Sequence, residues 1–337
     1  ITVLTTHMGD LKQDEMINGV RICRVPVLSR NKCEVASIPS MLSYVPSSVF
    51  WAYKQFSANR FDVINTHFAI PSGPAGFFLS WRFRIPNVLS IHGGDIYDPS
   101  KPYSPHKTPF LHQTVRGLLK TADRVVAQSS NTKHNAVQYY GIKKRIDIIP
   151  LGIKKPRFPR KQRSGFGLDK NTFVCCSVGR LIKRKNIPDT LKALASLPIS
   201  MDFKYFVIGE GPENKSIKHM IRELNLSGKV RLMGNVSDET KFQILDVADV
   251  YLSTSMHEGF GLVFLEAMAC GLPIVCYDNG GQTDFLENKT TGFLTAVGDV
   301  DGFAQRIVQI YKDKKLRHQM ERHNQKLIEK FYISECA

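Results

Sequence analysis

The chain has 337 residues, enough for two domains of about 150 residues each. At 42% apolar and 23% charged residues, it is neither disordered nor fibrous. Its 46 Lys and Arg against 30 Asp and Glu leave a formal charge of +16, which asks for an anionic partner: phosphate, nucleic acid or a membrane surface. The seven cysteines (Cys23, Cys33, Cys175, Cys176, Cys270, Cys276 and Cys336) are odd in number, form no C-x-x-C pair and have no His at zinc-ligand spacing. A disulfide framework and a structural zinc are therefore not expected; reduced, buried thiols of a cytoplasmic protein are.

The chain opens without Met in an apolar β-type run, Ile1 to Thr5, and no signal peptide is expected from these residues. Short apolar runs then alternate with helical patterns, as in a parallel sheet with crossover helices. In the first half, strands are expected at Thr2–Thr5, Val20–Pro26, Val63–Thr66, Asn87–Ile91, Arg124–Ala127 and Arg145–Ile149. Helices fall at about Pro39–Asn59, Gly73–Arg84, Pro109–Thr121 and Asn131–Tyr140. The uncharged stretch from Val63 to Trp81 holds too many polar and helix-breaking residues for a membrane span. Trp51 and Trp81, with Phe50, Tyr53, Phe77, Phe78 and Phe83, lie near Lys54, Arg60, Arg82 and Arg84. That mixture suits either an anionic membrane surface or helices packed on a sheet.

The halves meet at Pro150–Ile153, followed by a proline-broken basic linker to Arg163. From Lys143 to Arg163 there are nine basic residues and one acid, a net +8. Composition admits two readings of this run: a solvated linker, or a positive collar at the mouth of an interdomain cleft. In the second half, strands are expected at Phe173–Val178, Lys204–Ile208, Val230–Met233, Val250–Ser253 and Ile274–Tyr277. The helices are about Ile187–Leu197, Glu213–Leu224, Asp238–Val247, Leu262–Ala269 and Val300–Tyr311.

Two loops in this half carry chemistry. Ser177 to Asn186 joins a strand end to a helix start, where an α/β sheet offers backbone N–H groups to an anion. Gly179 permits close approach, Arg180 grips two oxygens and Lys185 adds a point charge, which together fit a diphosphate. In the segment His257 to Pro273, Glu258 precedes a helix and Glu266 lies in its second turn, with Gly259 and Gly261 between them. Two carboxylates so placed could hold two sets of hydroxyls. A glycosidase acid/base pair is a less natural reading of a turn residue and a helix residue flanking phosphate-type glycines. Gly209-Glu210-Gly211-Pro212-Glu213-Asn214 imitates a dinucleotide fingerprint poorly, with Asn214 where the third Gly belongs.

The ordered set of motifs resembles the retaining glycosyltransferases of family 4, also called glycosyl transferases group 1. The matching residues are V-G-R-L-x-x-x-K at Val178–Lys185, G-E-G-P at Gly209–Pro212, M-G-N-V-S at Met233–Ser237 and E-x7-E at Glu258–Glu266. They continue as G-G-x-x-D at Gly280–Asp284 and T-G-F-L at Thr291–Leu294, with Asp284 where that family usually has Glu. His67–Gly73 and Ile91–Asp95 match in the first half, so the likeness covers nearly the whole chain.

The resemblance implies the α/β GT-B architecture, two Rossmann-like domains facing across a cleft. Residues 1–150 would be the acceptor-side domain, 151–163 the linker and 164–337 the donor domain. It implies sugar transfer from a nucleotide-diphosphate sugar to a glycan or lipid-linked acceptor with retention, and needs neither metal nor cofactor. Arg180 and Lys185 would neutralise the diphosphate beside Gly179 and Gly209. Glu266 would hold the ribose, and Gly234, Asn235 and Val236 would flank the base. Glu258, with backbone from Gly259, Phe260, Gly261 and Leu262, would hold the donor sugar, which His92 would reach from the first domain. Ile1 matches the start of the family's second strand, so the first domain is expected to be truncated at its N-terminus and the chain a fragment. A cytoplasmic protein at an anionic membrane face is the expected setting, and no nucleic-acid module is recognised. A nucleotide-sugar epimerase of the same architecture and a non-catalytic sugar-nucleotide-binding subunit are the alternatives.

Overall fold

The structure, a computed structural model, describes residues 1–30 and 37–336; Cys33 and the side chain of Cys336 lie outside the description. The chain divides into two units, Ile1–Ile149 and Pro150–Ala337. Cys23, Cys175, Cys176 and Cys276 are buried free thiols, while Cys270 is half-buried.

The first unit begins with β1 (Thr2–Thr6), β2 (Asp14–Ile17) and β3 (Val20–Val25). These strands form their own sheet, in the order β1-β3-β2. The antiparallel β2–β3 hairpin is absent from the sequence expectation. Its turn is Asn18-Gly19, both at positive φ (49° and 79°), the backbone that a two-residue hairpin turn requires. Next come α1 (Ile38–Ala58), β4 (Ile64–His67), α2 (Gly73–Phe83), β5 (Asn87–Ile91), α3 (Pro109–Thr121), β6 (Arg124–Ala127), α4 (Ser130–Tyr140) and β7 (Ile146–Ile148). Strands β4-β5-β6-β7 make a second, all-parallel sheet. The alternation of strands and helices is as expected, but it is shared between two sheets. Among the described residues, β1 and β4 each have one edge with no hydrogen-bonded strand.

The second unit holds β8 (Phe173–Val178), α5 (Ile187–Ala195), β9 (Phe203–Ile208), α6 (Asn214–Glu223), β10 (Val230–Gly234), α7 (Asp238–Val247) and β11 (Val250–Ser253). It continues with α8 (Leu262–Ala269), β12 (Ile274–Tyr277), β13 (Gly292–Thr295), α9 (Val300–Lys312) and α10 (Lys314–Leu327). One parallel six-stranded sheet runs β10-β9-β8-β11-β12-β13, and a buried apolar cluster lies on each face. Strands β8, β11 and β12 read as nearly continuous apolar runs because both of their faces are covered. The order turns back at β8, so the loops after β8 and β11 leave neighbouring strands at the point where such sheets bind ligands.

Asp249 ties three parts of this unit together. Its Oδ2 accepts from Arg163 Nη2 at 2.7 Å and from Val174 N at 2.8 Å, and Arg317 Nη1 lies 3.3 Å from Oδ1. Linker, β8 and α10 thus share one largely buried carboxylate. Asp249→Ala is expected to destabilise the unit by about 2–4 kcal/mol, because two guanidinium groups lose their anion. A thermal melt of the full chain checks this; an unchanged melting temperature would show the network to be dispensable.

Candidate active site

Glycines let the loops after β8, β9 and β10 touch. Gly179 N donates to Ile208 O, Gly209 N to Gly234 O and Leu181 N to Glu210 O, each at 2.9 Å. A Cβ on Gly209 would lie 2.1 Å from the Gly179 carbonyl oxygen, and φ there is +128°, so only glycine fits. The Gly209–Pro212 segment therefore braces the Gly179–Arg180 loop, which accounts for its glycines without a dinucleotide.

The braced loop carries the cations. Lys183–Lys185 form a 3₁₀ turn, and Asn186 in left-handed conformation starts α5. Lys185 Nζ donates to Glu258 Oε1 at 2.5 Å, with its side chain lying across Gly179. Arg184 Nη1 donates to the other carboxylate oxygen at 3.3 Å and to His257 O at 2.5 Å. Burial pushes the Glu258 carboxyl up, but the Lys185 and Arg184 charges outweigh it and hold it at about 2. A carboxyl so held is an anion at neutral pH, the opposite of a glycosidase general acid. Arg180 is exposed at the loop's tip. The bare helix end expected at α5 is not found, because Asp189 occupies its first turn, bonded to Asn186 Nδ2 and Tyr277 OH. The positive charge of this loop lies in its side chains.

Helix α8 supplies the second half of the site. It has no acid in its first turn and no side-chain cap at Gly261, so its N-terminus keeps its positive polarity. Gly271 at φ +78° ends it, with Leu272 N bonded to Ala267 O and Gly271 N to Met268 O. Phe260 is buried, with its ring 5.2 Å from that of Phe285. Gly281 N donates to Glu258 O at 2.8 Å, and a Cβ on Gly280 would come within 2.6 Å of the Glu258 backbone. The G-G pair thus clamps Glu258 from behind. Glu266 is engaged by Lys241, whose Nζ donates to Oε1 at 2.8 Å and to Asp238 Oδ1 at 3.0 Å. Gly234 ends β10, and Asn235, which is exposed, and Val236 follow it.

In the first unit, His92 follows β5 and His67 ends β4; His67 Nδ1 and His92 Nε2 are 3.0 Å apart, within hydrogen-bond distance. Phe68 stacks on His92 with ring centroids 4.3 Å apart. Burial, and then the neighbouring His67, bring His92 down to about 4, so its ring is neutral at pH 7. Asp95 joins the two loops by accepting from His92 N at 2.9 Å and Ala69 N at 2.6 Å. Burial, opposed by those bonds, lifts its carboxyl to about 6.

Arg180, Lys185, Glu258 and Glu266 all lie in the second unit, the first three on the loops after β8 and β11 and Glu266 on α8, and Lys185 meets Glu258 directly. Sequence reasoning missed Arg184 and Lys241 as the partners of the two glutamates. They stand 74 and 25 residues away from them in the chain, so no local spacing signals either pair. The basic run has partners of its own. Lys144 caps the end of α3 at Lys120 O and Ala122 O, Arg145 meets Asp147, Lys155 meets Glu329, Arg160 meets Asp246 and Arg163 meets Asp249. Five of its nine cations thus bind acceptors within their own unit.

The chain was compared with known proteins. Residues 159–327 match the family described as glycosyl transferases group 1, and residues 1–155 match glycosyltransferase family 4. The N-acetyl-alpha-D-glucosaminyl L-malate synthase of Bacillus anthracis is 28% identical, over 87% of this chain and 77% of its own. An Escherichia coli UDP-Gal:alpha-D-GlcNAc-diphosphoundecaprenol alpha-1,3-galactosyltransferase is 25% identical, over 99% of this chain and 85% of its own. Among solved structures, sucrose-phosphate synthase from Thermosynechococcus elongatus superposes with a TM-score of 0.86 at 21% identity, covering 99% of this chain and 86% of that one. Anabaena HepE in complex with UDP-glucose gives 0.77 at 22% identity, covering 94% and 83%. These likenesses give the two Rossmann-like units the GT-B fold. With both units matched in order, the chain belongs to glycosyltransferase family 4 and carries its group 1 transferase domain.

Proposed function

We propose that this protein transfers a hexose from a nucleotide-diphosphate sugar to a glycan or lipid-linked acceptor, with retention of anomeric configuration. The observation that carries this reading is the Lys185–Glu258–Arg184 cluster behind the Gly179 loop. Lys185 has three N–H donors and gives one to Glu258, so the others are available to a diphosphate oxygen. Arg180 on the same loop adds a second cation. The relatives agree: the Escherichia coli enzyme is a UDP-Gal:alpha-D-GlcNAc-diphosphoundecaprenol galactosyltransferase, and another protein of this fold holds UDP-glucose.

Breaking the sugar–phosphate bond leaves negative charge on the diphosphate and positive charge on the ring. Fixed cations at the phosphate lower that barrier, because they need no reorganisation when the charge develops. The acceptor hydroxyl attacks C1 from the face that the diphosphate leaves, and its proton passes to the departing phosphate oxygen. The new C–O bond therefore lies on the face of the old one. Glu258 holds donor-sugar hydroxyls and Glu266 the ribose. Side-chain cations supply the charge that a metal would otherwise bring, so the reaction is proposed to run without one.

Proton NMR of the product tests this reading. An α-linked donor should yield an α-linkage, and donor incubated alone should persist. A β-linkage would remove the retaining assignment, and a changed sugar without acceptor would favour an epimerase.

A further inference from the structure

Lys241 is a cation for which its own helix gives no reason. It stands fourth in α7, whose first turn holds Asp238 and Glu239. Acids suit that positive helix end, and a lysine there does not. Its Nζ donates to two carboxylates, Asp238 Oδ1 at 3.0 Å and Glu266 Oε1 at 2.8 Å. The two arms are unequal. The Asp238 side chain is 90% exposed, so water screens that contact and it contributes little. Lys241 and Glu266 are only 14% and 18% exposed, so their pairing costs both groups hydration that a well-placed contact must return.

The lysine is anchored as well as paired. Its Nζ lies 4.6 Å from the Phe242 ring centre, and Phe242 stacks on Phe158 of the linker with centroids 5.6 Å apart. Gln243 Nε2 donates to Pro159 O at 3.0 Å, which ties the linker to the same helix. Burial presses Lys241 toward neutrality, but Glu266 and Asp238 outweigh it and keep the ammonium charged. A charged, anchored Nζ on Oε1 fixes the plane of the Glu266 carboxylate. Among the described residues, Oε2 accepts from none, and Oε1 keeps a second lone pair. Two acceptor sites in a fixed plane suit the two O–H donors of a vicinal diol. A ribose carries that diol, whereas a 2′-deoxyribose brings one hydroxyl and leaves an acceptor unanswered.

We propose that Lys241 is a positioning residue, holding the Glu266 carboxylate in the orientation that selects a ribonucleoside diphosphate over its 2′-deoxy counterpart. This rests on the reading of Glu266 as the ribose ligand. The test is titration calorimetry of the full chain with UDP and with 2′-deoxy-UDP, beside donor saturation curves for transfer. The wild type should prefer UDP. Lys241→Met keeps the chain length over Phe242 and loses the charge. It should bind UDP about tenfold more weakly, yet bind 2′-deoxy-UDP within about twofold of the wild type. The loss should fall on KM for the donor rather than on kcat, because the ribose is remote from the bond that breaks. Lys241→Arg should restore most of the preference, and Asp238→Asn should leave it unchanged. A lysine that only stabilises the fold would weaken both nucleotides alike. That result, or an undiminished preference in Lys241→Met, would overturn the proposal and leave Glu266 as the ribose ligand. A wild type that binds the two nucleotides equally, or binds neither, would remove the ribose reading of Glu266 and the role of Lys241 with it. If Lys241→Met does not fold, Lys241→Gln is judged by the same comparison.

Discussion

Replacing Lys185 with alanine is expected to lower sugar transfer by at least ~10²-fold at saturating donor, the usual loss when one preorganised donor to a developing charge is removed. Two effects combine. The diphosphate loses a cation, and Glu258 keeps only Arg184, whose contact at 3.3 Å is the longer of the two. A buried carboxylate stripped of one partner also lowers stability, by up to about 3–5 kcal/mol when no other cation remains and by less here. Single-turnover rates and a thermal melt on the same sample separate the two effects. Lys185→Arg should recover stability more than rate, because a planar fork restores the charge but not the point of contact. Wild-type turnover in a folded Lys185→Ala protein would remove this lysine from the reaction.

Glu258→Gln should be as damaging to transfer and should also change the acid limb of stability. The carboxyl sits at about 2 in the folded chain against an ordinary 4.5, so the unfolded chain binds the extra proton between those values. Its contribution, about 3 kcal/mol at neutral pH, is fully present above pH 4.5 and is lost as the pH falls toward 2. Glutamine has no such proton to bind, so the variant should start less stable at pH 7, with Lys185 and Arg184 facing a neutral amide. It should then lose less on acidification. Urea midpoints at pH 6 and pH 3 measure both slopes; parallel slopes would mean that Glu258 is not held as a buried anion. Transfer should drop at least ~10²-fold, since the amide keeps the shape but not the charge.

Much of this site is legible in the residues. Continuous apolar runs place β8, β11 and β12, and the Gly-rich turn and Gly271 bound α8 at Leu262 and Ala269, as found. What escaped has physical reasons. Strand β2 is written Asp14-Glu15-Met16-Ile17, which lacks the alternation of a half-buried strand; only the Asn18-Gly19 turn betrays it. Helix α10 buries just Met320 and Asn324 of its fourteen residues, too sparse a stripe to show a helical period. Strand β13 is four residues long and begins at Gly292, where a Cβ would strike the Ile274 carbonyl oxygen. The partners of the glutamates were hidden because folding, not spacing, brings Arg184 to Glu258 and Lys241 to Glu266. The bare helix end expected at α5 fails for a different reason: Asp189 lies in the helix's first turn, where its own carboxylate answers the positive end.

The central claim is that the Lys185–Glu258 cluster carries transfer from a nucleotide-diphosphate sugar. Release of nucleoside diphosphate, measured across a panel of nucleotide sugars with acceptor extracts, tests it most directly, with wild-type and Lys185→Ala proteins run side by side. The wild type is expected to release nucleoside diphosphate from one or a few donors only with acceptor present, and the variant at least ~10²-fold less. Equal release by the two folded proteins, or no release from any donor, would contradict it.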